Sequence, residues 1–443
     1  MKAVIMAGGK GSRLLELTKD EIPKPMTLIN GKPILRWQIE CLRRNGITDI
    51  CIVTGHLGEK IENYFGNGSD LEVNIIYFHE ETPLGTAGAI AHIEDFLEDE
   101  YFLLVYGDVM FDIDISRMEK FHNEKKAAAT LFVHPNSHPY DSDLVVLDPD
   151  SRVVGFDSKK NVRSYWYNNM VNAGFYIISK SISEQIPKNS KVDLENEILF
   201  AKCGKDADIF GYVSTEYIKD AGTVDRVERV QSDIRDGVIR AKNLSKPQKC
   251  VFLDRDGVLN KHVGLLYNPD QLELEDSAIK AVAKLNASEY LTVVITNQPV
   301  VARGLCDIKD VENIHNKLQT LLGENHVYLD DMFYCPHHPD KGYPEENPEY
   351  KIKCKCRKPN TGMLETAAVK YHIDLTKSWF IGDTTVDIKT GKNANTQTIL
   401  VKTGQAGNDK KFDDEPDYIA ENILDAVDHI LSLQRGIKCI STR

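Results

Sequence analysis

Two aspartates directly follow a short apolar run in the second half of the chain. Residues 251–253 (Val-Phe-Leu) predict a buried strand, and Asp254 and Asp256 come next, ahead of Gly257. Because residues i and i+2 of an extended chain point the same way, both carboxylates can face one small volume. Two negative charges this close favour a divalent cation between them. An ordinary acidic turn is the alternative that these few residues leave open.

Polar residues also end two further predicted strands of this half. The apolar stretch 291–295 is followed by Thr296, and the stretch 379–381 is followed by Gly382-Asp383. Open α/β sheets bind their ligands at the carboxyl ends of strands. Carboxylates and a hydroxyl in these places, together with Lys358, therefore predict a phosphate site. Taken alone, Thr296 is explained equally well as a helix cap.

Three cysteines crowd into the segment 335–356. Cys335-Pro-His337-His338 is followed by Cys354-Lys-Cys356, and the loop between them is rich in proline, glycine and charge. Three thiolates and one imidazole complete a tetrahedral Zn²⁺ site without an open position, which is typical of a structural site. Zinc would order a loop that lacks a core of its own. His338 can replace His337 as the ligand, and three neighbouring thiols without a metal are the alternative.

A glycine-rich loop follows the first predicted strand of the chain. Strand 2–7 leads into Gly8-Gly9-Lys10-Gly11-Ser12-Arg13, where backbone N–H groups and two basic side chains can meet an anion. The loop is not a Walker loop, which needs Gly-Lys-Ser/Thr, and Leu14 replaces the third glycine of a dinucleotide fingerprint. Downstream, prolines on both sides hold Lys24, and Asp108 follows a buried strand.

Strands and helices alternate throughout the chain, which predicts α/β domains with mostly parallel sheets. The further elements predicted for the first half are a helix over 33–45, strands over 50–54, 73–78 and 102–106, and a helix from the glycine-rich turn 84–88 to about 97. A polar stretch that contains Pro247 separates two such regions. We predict domains over 1–240 and 250–443, joined by a linker over 241–249.

The composition argues against some classes of function. The chain has 443 residues, enough for two or three domains, and its net charge is −13. This acidity argues against a binder of nucleic acids or membrane surfaces. No apolar run approaches a bilayer span and the start lacks a signal-peptide pattern, so we expect a cytoplasmic protein. Nine cysteines in such a protein favour metal ligation over disulfides.

Residues 1 to about 235 resemble the sugar-1-phosphate nucleotidyltransferases, because six motifs of that family stand here in the family's order. The motifs are Gly8 to Leu14, Pro23-Lys24-Pro25, Leu84 to Gly88, Gly107-Asp108, Asn172-Ala-Gly174 and Asp220-Ala-Gly222-Thr223. The resemblance implies a mixed, Rossmann-like sheet and attack of a sugar phosphate oxygen on the α-phosphorus of a nucleoside triphosphate. Two anions must meet in this reaction, so charge screening and in-line positioning do most of the catalytic work.

The same resemblance implies roles for individual residues. It implies that Asp108 and Asp220 bind Mg²⁺, that Arg13 and Lys24 contact the phosphates, and that Gly8, Gly9 and Gly11 surround the triphosphate. It also implies that Gly85 contacts the base and that the sugar is bound by Lys159, Asn172, Gly174 and Glu195. One departure from the family concerns the sugar. The family has Phe-x-Glu-Lys where this chain has Phe156-Asp-Ser158-Lys159, so the sugar pocket differs at Ser158.

Residues 250–435 resemble the haloacid dehalogenase superfamily of phosphatases through Asp-x-Asp, Thr296, Lys358 and Gly-Asp in this order. The resemblance implies a parallel sheet, Asp254 as the nucleophile that forms an aspartyl-phosphate, and Asp256 as general acid and then base. The remaining roles implied are phosphate binding by Thr296 and Lys358, and Mg²⁺ binding by Asp254, Asp256 and Asp383 with support from Asp387. The cation is needed because a carboxylate and a phosphate monoester repel each other.

Further motifs narrow this resemblance to the heptose-bisphosphate and histidinol-phosphate phosphatases. They are the Asp-Arg-Asp-Gly start, Thr296-Asn-Gln, Ala302-Arg-Gly304 and the cysteine loop. They imply zinc at Cys335, His337, Cys354 and Cys356, and substrate contacts from Asn297, Arg303 and Arg357. The fused transferase favours the first group, since a phosphatase that spares the anomeric phosphate supplies a sugar 1-phosphate. We therefore predict removal of the C7 phosphate of heptose 1,7-bisphosphate and transfer of GMP from GTP to the product.

Two other functions remain open at this point. One is a transferase for another sugar 1-phosphate, such as mannose or glucose 1-phosphate, fused to a histidinol-phosphate-like phosphatase. The other is a regulatory binding protein with an inactive transferase half, for which Ser158 is the one indication. In each case the predicted partners are small molecules, namely sugar phosphates and a nucleoside triphosphate, with no nucleic acid and no membrane. The sequence leaves a homo-oligomer open.

Overall fold

The chain folds into two compact units in the computed structural model. The model describes residues 1–9, 18–19, 21–188, 190–203 and 208–441, with side chains of the last helix up to residue 434. The first unit consists of Met1–His134, Ser142–Lys160 and Met170–Ser245, and the second of Pro135–Asp141, Asn161–Asn169 and Lys246–Arg443. The last change of unit lies inside the predicted linker. Gly11 and Arg13 of the predicted nucleotide loop lie outside the described residues.

A mixed sheet is the centre of the first unit. The strands of this unit are β1 (Ala3–Met6), β2 (Leu28–Ile29), β3 (Lys32–Pro33), β4 (Asp49–Thr54), β5 (Asn74–His79), β6 (Tyr101–Tyr106), β7 (Val109–Asp112), β8 (Ala129–His134), β9 (Leu144–Leu147), β10 (Val153–Asp157), β11 (Val171–Ser179), β12 (Ile209–Val213) and β13 (Tyr217–Asp220). The large sheet has the order β10-β9-β11-β6-β1-β4-β5, and β8 and β12 extend from β11. Strands β6, β1, β4 and β5 are parallel, whereas β11 runs antiparallel to β6.

Helices and a two-stranded ribbon complete this unit. The helices are α1 (Ile34–Arg44), α2 (Gly58–Phe65), α3 (Gly85–Gly88), α4 (Ile115–Lys125), α5 (Lys180–Ser183), α6 (Phe200–Lys202), α7 (Val224–Arg235) and α8 (Val238–Ala241), with 3₁₀ turns at Lys24–Met26, Ser69–Leu71 and Ile90–His92 and a π-helical segment at Leu194–Leu199. Helix α1 forms as predicted and buries Ile34, Leu35, Ile39 and Leu42, which share one helix face. Strands β7 and β13 pair side by side and bring Asp108 and Asp220 to the same end of the ribbon.

The helix predicted from the turn 84–88 to residue 97 is wrong. Helix α3 ends at Gly88 and is followed by the 3₁₀ turn Ile90–His92. Beyond Gly88 the backbone hydrogen bonds close tighter turns, because the N–H of His92 donates to the carbonyl of Ala89 at 3.1 Å and that of Ile93 to the carbonyl of Ile90 at 3.2 Å. These bonds join residues three apart, whereas a continuous α-helix joins residues four apart.

A parallel sheet is the centre of the second unit. Its strands are β14 (Lys249–Leu253), β15 (Tyr290–Asn297), β16 (Asp331–Cys335), β17 (Trp379–Gly382), β18 (Gln397–Val401) and β19 (Tyr418–Ala420). They stand in the order β16-β15-β14-β17-β18-β19, with every neighbouring pair parallel. The carboxyl ends of β16, β15, β14 and β17 therefore meet at one edge. The mixed sheet of the first unit and this parallel sheet confirm the predicted fold class.

Helices cover the faces of this sheet. They are α9 (Ala278–Asn286), α10 (Ile308–Glu324), α11 (Gly362–Tyr371), α12 (Thr385–Asn393) and α13 (Ile423–Ser441), with 3₁₀ turns at Pro139–Asp141, Pro269–Gln271, Pro348–Tyr350 and Leu375–Lys377. The segment 161–169 lies on α10, where the N–H of Tyr167 donates to Thr320 Oγ1 at 3.0 Å. Across the described part of the chain, no helix combines the length and apolar character needed to cross a bilayer.

Replacement of Leu285 by alanine tests the core of the second unit. Leu285 of α9 is fully buried in the apolar cluster between α9 and the sheet. We expect Leu285→Ala to lower the free energy of unfolding of this unit by about 2–5 kcal/mol, because the removed side chain leaves a cavity. The control Val369→Ala, at a position 82% exposed, should change it by no more than about 0.5 kcal/mol. Calorimetric unfolding of both variants measures the difference, and equal transitions would contradict a close-packed core at Leu285.

Candidate active sites

Three buried aspartates converge at the carboxyl edge of the parallel sheet. Asp254 follows β14, Asp383 follows β17 and Asp387 lies in the first turn of α12. One carboxylate oxygen of each lies within 4.8 Å of the other two, and we call these residues the carboxylate group. Lys358 Nζ lies 3.0 Å from Asp254 Oδ1 and 2.6 Å from Asp387 Oδ1. One ammonium cannot balance three carboxylates, so the group has the oxygen donors and the excess negative charge that Mg²⁺ prefers.

The electrostatics of the carboxylate group follow from burial and mutual repulsion. Burial raises the pKa of Asp254, the charge of Lys358 partly offsets this rise, and the neighbouring aspartates add to it. Burial and the charges of Asp254 and Asp387 likewise raise the pKa of Asp383. Burial lowers the pKa of Lys358, but the two carboxylates beside it raise that pKa by more. A divalent cation held by these oxygens would reverse the shift of the aspartates, because it would be the largest local charge.

The carboxylate of Asp256, which was predicted among the residues for Mg²⁺, lies outside the carboxylate group. Arg255 and Asn260 donate to that carboxylate instead, with Arg255 Nη2 2.9 Å from Oδ2 and Asn260 Nδ2 2.9 Å from Oδ1. Burial raises the pKa of Asp256, but the charge of Arg255 and the donated hydrogen bonds outweigh burial and lower it overall. The Asp256 charge is thus balanced inside the protein, and Asp387 takes the third place in the carboxylate group.

Three consecutive residues at the end of β15 connect the groups of this site. Thr296 lines the same cavity as Asp254, with its hydroxyl 2.9 Å from Gln298 Nε2. Asn297 clamps the backbone of Lys358, because its Oδ1 accepts the N–H of Lys358 at 3.0 Å and its Nδ2 donates to the carbonyl at 3.2 Å. Asn297, which was predicted as a substrate contact, therefore positions Lys358. Nothing in the sequence pattern of Thr-Asn-Gln distinguishes these three tasks.

A cavity of about 360 Å³ opens beside these residues. Its wall includes Asp254, Asp256, Asn297, Arg357 and Lys358, all predicted from the sequence. Arg303 is not part of this wall, and its guanidinium lies 4.5 Å above the centre of the Tyr343 ring. His338 and Gln298 belong to the wall without having been predicted as substrate contacts. A cavity of this size with cationic and carboxylate groups on its wall suits a small phosphorylated molecule.

The predicted zinc ligands lie together. The Sγ atom of Cys356 is 3.2 Å from those of Cys335 and Cys354 and 3.5 Å from Nδ1 of His337. The four ligand atoms all lie within 4.8 Å of one another, which fits the tetrahedral coordination of Zn²⁺. His337, rather than His338, has its imidazole among the three thiols. We call these four residues the cysteine cluster.

The cysteine cluster is bonded to the segment that carries Lys358. The N–H of Arg357 donates to Cys354 Sγ at 3.3 Å, and Arg357 Nη1 donates to the carbonyl of His337 at 3.0 Å. Lys358 is the next residue in the chain. Cys335, at the other end of the cluster, is the last residue of β16 and so ties the loop to the sheet. The loop 336–357 thereby places a lysine over the carboxyl edge without forming a core of its own.

A second group of charged side chains lies in the first unit. Lys24 pairs with Asp108, and Asp220 pairs with Arg226. The N–H of Ala221 donates to the carbonyl of Asp108 at 2.9 Å. A side chain on Gly222 would put its Cβ 2.8 Å from Lys24 Nζ and 2.6 Å from Asp220 Oδ1. Lys24, Asp108 and Asp220 therefore converge where the sequence predicted the phosphates and Mg²⁺.

The residues predicted around the sugar form a hydrogen-bonded chain in part. Asn172 Nδ2 donates to the hydroxyl of Tyr176 at 2.7 Å, and that hydroxyl donates to Glu195 Oε1 at 2.7 Å. Burial raises the pKa of Glu195, and bonds from Tyr106 and Tyr176 lower it by less. Gly174 is also present here, since a Cβ on it would lie 2.7 Å from the Tyr106 ring. Tyr106 and Tyr176 were not predicted as part of this site. Each belongs to a strand of mostly apolar residues, and such a pattern predicts burial rather than a polar contact.

The other predicted residues of this unit fall in two places. Gly85 lies against the backbone of Val192, and its missing side chain matters because a Cβ would come 2.3 Å from the Val192 carbonyl oxygen. A Cβ on Gly8 would lie 2.6 Å from Glu80 Oε2, and Glu80 Oε1 accepts the N–H of Leu84 at 3.1 Å. Glu80 thus joins the loop predicted for the triphosphate to the turn predicted for the base. Gly9 is exposed, and so is Lys159, whose N–H donates to Asp143 Oδ1 at 2.9 Å.

Two family models match the chain. The Nucleotidyl transferase family matches residues 2–237, and the HAD-hydrolase-like family matches residues 355–426. The first match covers more than half of the chain. The second lies in the unit that contains the carboxylate group.

Relatives match each half separately. The D-glycero-alpha-D-manno-heptose 1-phosphate guanylyltransferase of Aneurinibacillus thermoaerophilus is 33% identical over 235 residues, which are 53% of this chain and 99% of the relative. The mannose-1-phosphate guanylyltransferase of Mycobacterium tuberculosis is 32% identical over 237 residues, 53% of this chain and 65% of the relative.

The second half has relatives of a different kind. The D-glycero-beta-D-manno-heptose-1,7-bisphosphate 7-phosphatase of Pasteurella multocida is 36% identical over 193 residues, which are 43% of this chain and 99% of the relative. Both halves thus match enzymes along nearly the whole length of one relative each. The predicted fusion is confirmed, and the chain belongs to the nucleotidyl transferase family through residues 2–237 and is a bifunctional enzyme with a haloacid dehalogenase-like phosphatase as its second unit.

Proposed function

We propose that the second unit removes the C7 phosphate from D-glycero-D-manno-heptose 1,7-bisphosphate and that the first unit transfers GMP from GTP to the resulting heptose 1-phosphate. The products are phosphate, pyrophosphate and GDP-heptose. The observation that carries this proposal is the pairing of relatives. One relative transfers a guanylyl group to D-glycero-alpha-D-manno-heptose 1-phosphate, and a phosphatase relative from Chlorobaculum tepidum removes the C7 phosphate of D-glycero-D-manno-heptose 1,7-bisphosphate. The phosphatase of Pasteurella multocida takes the beta anomer, so a shared intermediate requires the second unit to take the alpha anomer. The order of the units in the chain is then the reverse of the order of the reactions.

In the phosphatase reaction, Asp254 is the nucleophile. Its carboxylate oxygen attacks phosphorus, and the bond from phosphorus to the sugar oxygen breaks. The negative charge of the bound phosphate favours the protonated form of Asp256, which gives its proton to that oxygen. Thr296 and Lys358 bind the phosphoryl oxygens, and Asp256 then takes a proton from the water that releases phosphate from Asp254. Mg²⁺ held by Asp254 and Asp383, with Asp387 beside them, would neutralise the charge of the approaching phosphate. Zn²⁺ held by the cysteine cluster would have a structural task, since four protein ligands would leave no open position.

In the transferase reaction, a phosphate oxygen of the sugar attacks the α-phosphorus of the triphosphate. Lys24 lies beside Asp108 and can offset charge on the phosphates as the bond to pyrophosphate breaks. Asp108 and Asp220 would hold Mg²⁺, which shields the two anions from each other. Asn172 and Glu195, which are connected through Tyr176, are proposed to form hydrogen bonds with the sugar hydroxyls. Arg13 and Gly11 are proposed for the triphosphate from the sequence motif alone.

A second candidate differs in the sugar. The similarity to a mannose-1-phosphate guanylyltransferase is nearly as high as that to the heptose enzyme, so the first unit could take a hexose 1-phosphate instead. Ser158 in place of the family's glutamate changes the sugar pocket in a way that either sugar must accommodate. The heptose function is preferred because it gives both units a shared intermediate.

The product of a combined reaction tests the proposal. The purified protein is incubated with heptose 1,7-bisphosphate, Mg²⁺ and each of GTP, ATP, CTP, UTP and dTTP in turn, and the products are identified by mass spectrometry. We expect GDP-heptose as the main product, with equimolar phosphate and pyrophosphate. Release of phosphate without any nucleotide sugar, or a faster reaction with mannose 1-phosphate and GTP, would favour the second candidate.

Paired single substitutions separate the two activities. Asp254→Asn should lower phosphate release at least about 1000-fold, because the nucleophile is lost, while pyrophosphate release from GTP and purified heptose 1-phosphate stays within about 2-fold. Asp108→Asn should do the reverse, because its charge is needed only in the first unit. Calorimetric unfolding of each variant, in which both units melt as in the wild type, is the folding control. Loss of both activities in one folded variant would refute the assignment of the reactions to the units.

Removal of zinc tests the task of the cysteine cluster. Cys356→Ser should leave the purified protein with about one zinc fewer and lower phosphatase activity by at least about 10-fold, because the segment with Lys358 loses its anchor. Transferase activity should be unchanged. Zinc content is measured by atomic emission, and Cys203→Ser, outside the cysteine cluster, is the matched control. Full phosphatase activity without zinc would contradict the structural task.

A further inference from the structure

The Asp256 carboxylate is held by hydrogen bonds on both of its oxygens. Arg255 Nη2 lies 3.0 Å from Oδ1 and 2.9 Å from Oδ2, and Arg255 Nε lies 3.2 Å from Oδ1. Asn260 Nδ2 donates to Oδ1 at 2.9 Å, and Gln298 Nε2 donates to Oδ2 at 3.0 Å. A carboxylate bound from three directions has one orientation left to it, since each rotation would break a charge-assisted bond.

Arg255 is itself fixed from behind. It is fully buried, which is costly for a guanidinium unless its donors are used. Its Nη1 lies 3.2 Å from Nε2 of His315, a buried residue of α10. Because a guanidinium can only donate, Nε2 of His315 must accept, so the ring carries its proton on Nδ1. Arg255 therefore spans from helix α10 to the Asp256 carboxylate and cannot move independently of either.

Gln298 connects Asp256 to the phosphate site. Its Nε2 donates to Asp256 Oδ2 at 3.0 Å and to Thr296 Oγ1 at 2.9 Å, and the side chain is buried on the cavity wall. An amide NH₂ has two hydrogens, so one group serves both acceptors. Gln298 thereby sets the distance between the group that exchanges the proton and the hydroxyl that binds phosphate. A proton transfers efficiently only between groups held within hydrogen-bonding distance, so this placement raises the rate of the proton-transfer step.

The two oxygens of Asp256 are not equivalent. Oδ1 accepts hydrogen bonds from Arg255 Nε, Arg255 Nη2 and Asn260 Nδ2. Oδ2 accepts hydrogen bonds from Gln298 Nε2 and from the same Arg255 Nη2. Oδ2 therefore accepts two hydrogen bonds and Oδ1 three, so Oδ2 is the less heavily bonded oxygen. It is also the oxygen that Gln298 connects to Thr296 of the phosphate site.

We propose that Arg255 and Gln298 are positioning residues that hold Asp256 with Oδ2 as the proton-exchanging oxygen. This inference rests on the proposed phosphatase function. As the bond from phosphorus to the sugar oxygen breaks and that from Asp254 to phosphorus forms, the proton passes from Oδ2 to the sugar oxygen. When water attacks the aspartyl-phosphate, the bond from Asp254 to phosphorus breaks and the proton of water returns to Oδ2.

The dependence on the leaving group tests this inference. Release of a sugar alcohol needs a proton from Asp256, whereas release of p-nitrophenolate from p-nitrophenyl phosphate does not, because that anion is stable at neutral pH. Arg255→Lys keeps the positive charge but cannot donate to Asp256 from two nitrogens at once. Gln298→Leu keeps the size of the side chain but removes the hydrogen bonds to Asp256 and Thr296. The rate of leaving-group release is measured in a single turnover, with enzyme in excess over heptose 1,7-bisphosphate or p-nitrophenyl phosphate. Asp256→Asn is the reference variant. It removes the proton donor itself and so gives the largest expected difference between release of the sugar alcohol and release of p-nitrophenolate.

We expect both variants to release the sugar alcohol about 10- to 100-fold more slowly and p-nitrophenolate within about 3-fold of the wild-type rate. The KM for the bisphosphate should stay within about 3-fold. An equal loss on both substrates, or no loss on either, would overturn the positioning role. Release of p-nitrophenolate near the wild-type rate shows that the second unit of each variant has folded. A wild-type protein that hydrolyses neither substrate would instead refute the proposed phosphatase function and, with it, this inference.

Discussion

The ion pairs of Lys358 with Asp254 and Asp387 are the interaction on which the phosphatase unit depends. Three aspartates lie buried within 4.8 Å of one another, and their mutual repulsion and desolvation would favour protonation. The single ammonium, 3.0 Å and 2.6 Å from two of them, offsets part of this cost and leaves the remainder for a divalent cation. Because the balance requires the lysine at one place, the surrounding structure must hold it there, and several otherwise unrelated features have this effect.

Those features come from separate parts of the chain. Asn297 at the end of β15 binds both backbone groups of Lys358, and the cysteine cluster binds Arg357, its neighbour. The loop that carries the lysine has no apolar core, and the contacts of the cysteine cluster hold it where side-chain packing holds other parts of the unit. Arg255 balances the charge of Asp256 and so limits what a fourth carboxylate adds to the repulsion on Asp254. Charge compensation therefore explains both the position of the lysine and the separation of Asp256 from the carboxylate group.

The two units reach a similar arrangement by different folds. In the first unit, Lys24 follows a proline and pairs with Asp108 at the end of β6, with Asp220 close by. In the second, Lys358 precedes a proline and pairs with Asp254 at the end of β14. Both reactions bring a negatively charged nucleophile to a phosphorus centre, so each site needs a cation and acidic groups to hold a metal. The shared requirement lies in the phosphate chemistry, and strand ends supply a rigid place to meet it.

The sequence by itself determined what local patterns can encode. Apolar runs and their alternation with helices predicted the α/β class, and the spacings Asp-x-Asp, Cys-x-His and Cys-x-Cys predicted the strand-end acids and the metal ligands. Only the tertiary structure decided which groups share a contact. It placed Asp387 rather than Asp256 with Asp254, chose His337 over His338, added Gln298 and Tyr176, and shortened the helix predicted after residue 84. The reason is that these choices depend on partners far apart in the chain, such as Arg255 and His315, which are 60 residues apart, whereas a periodic pattern reports only which face of its own element is buried.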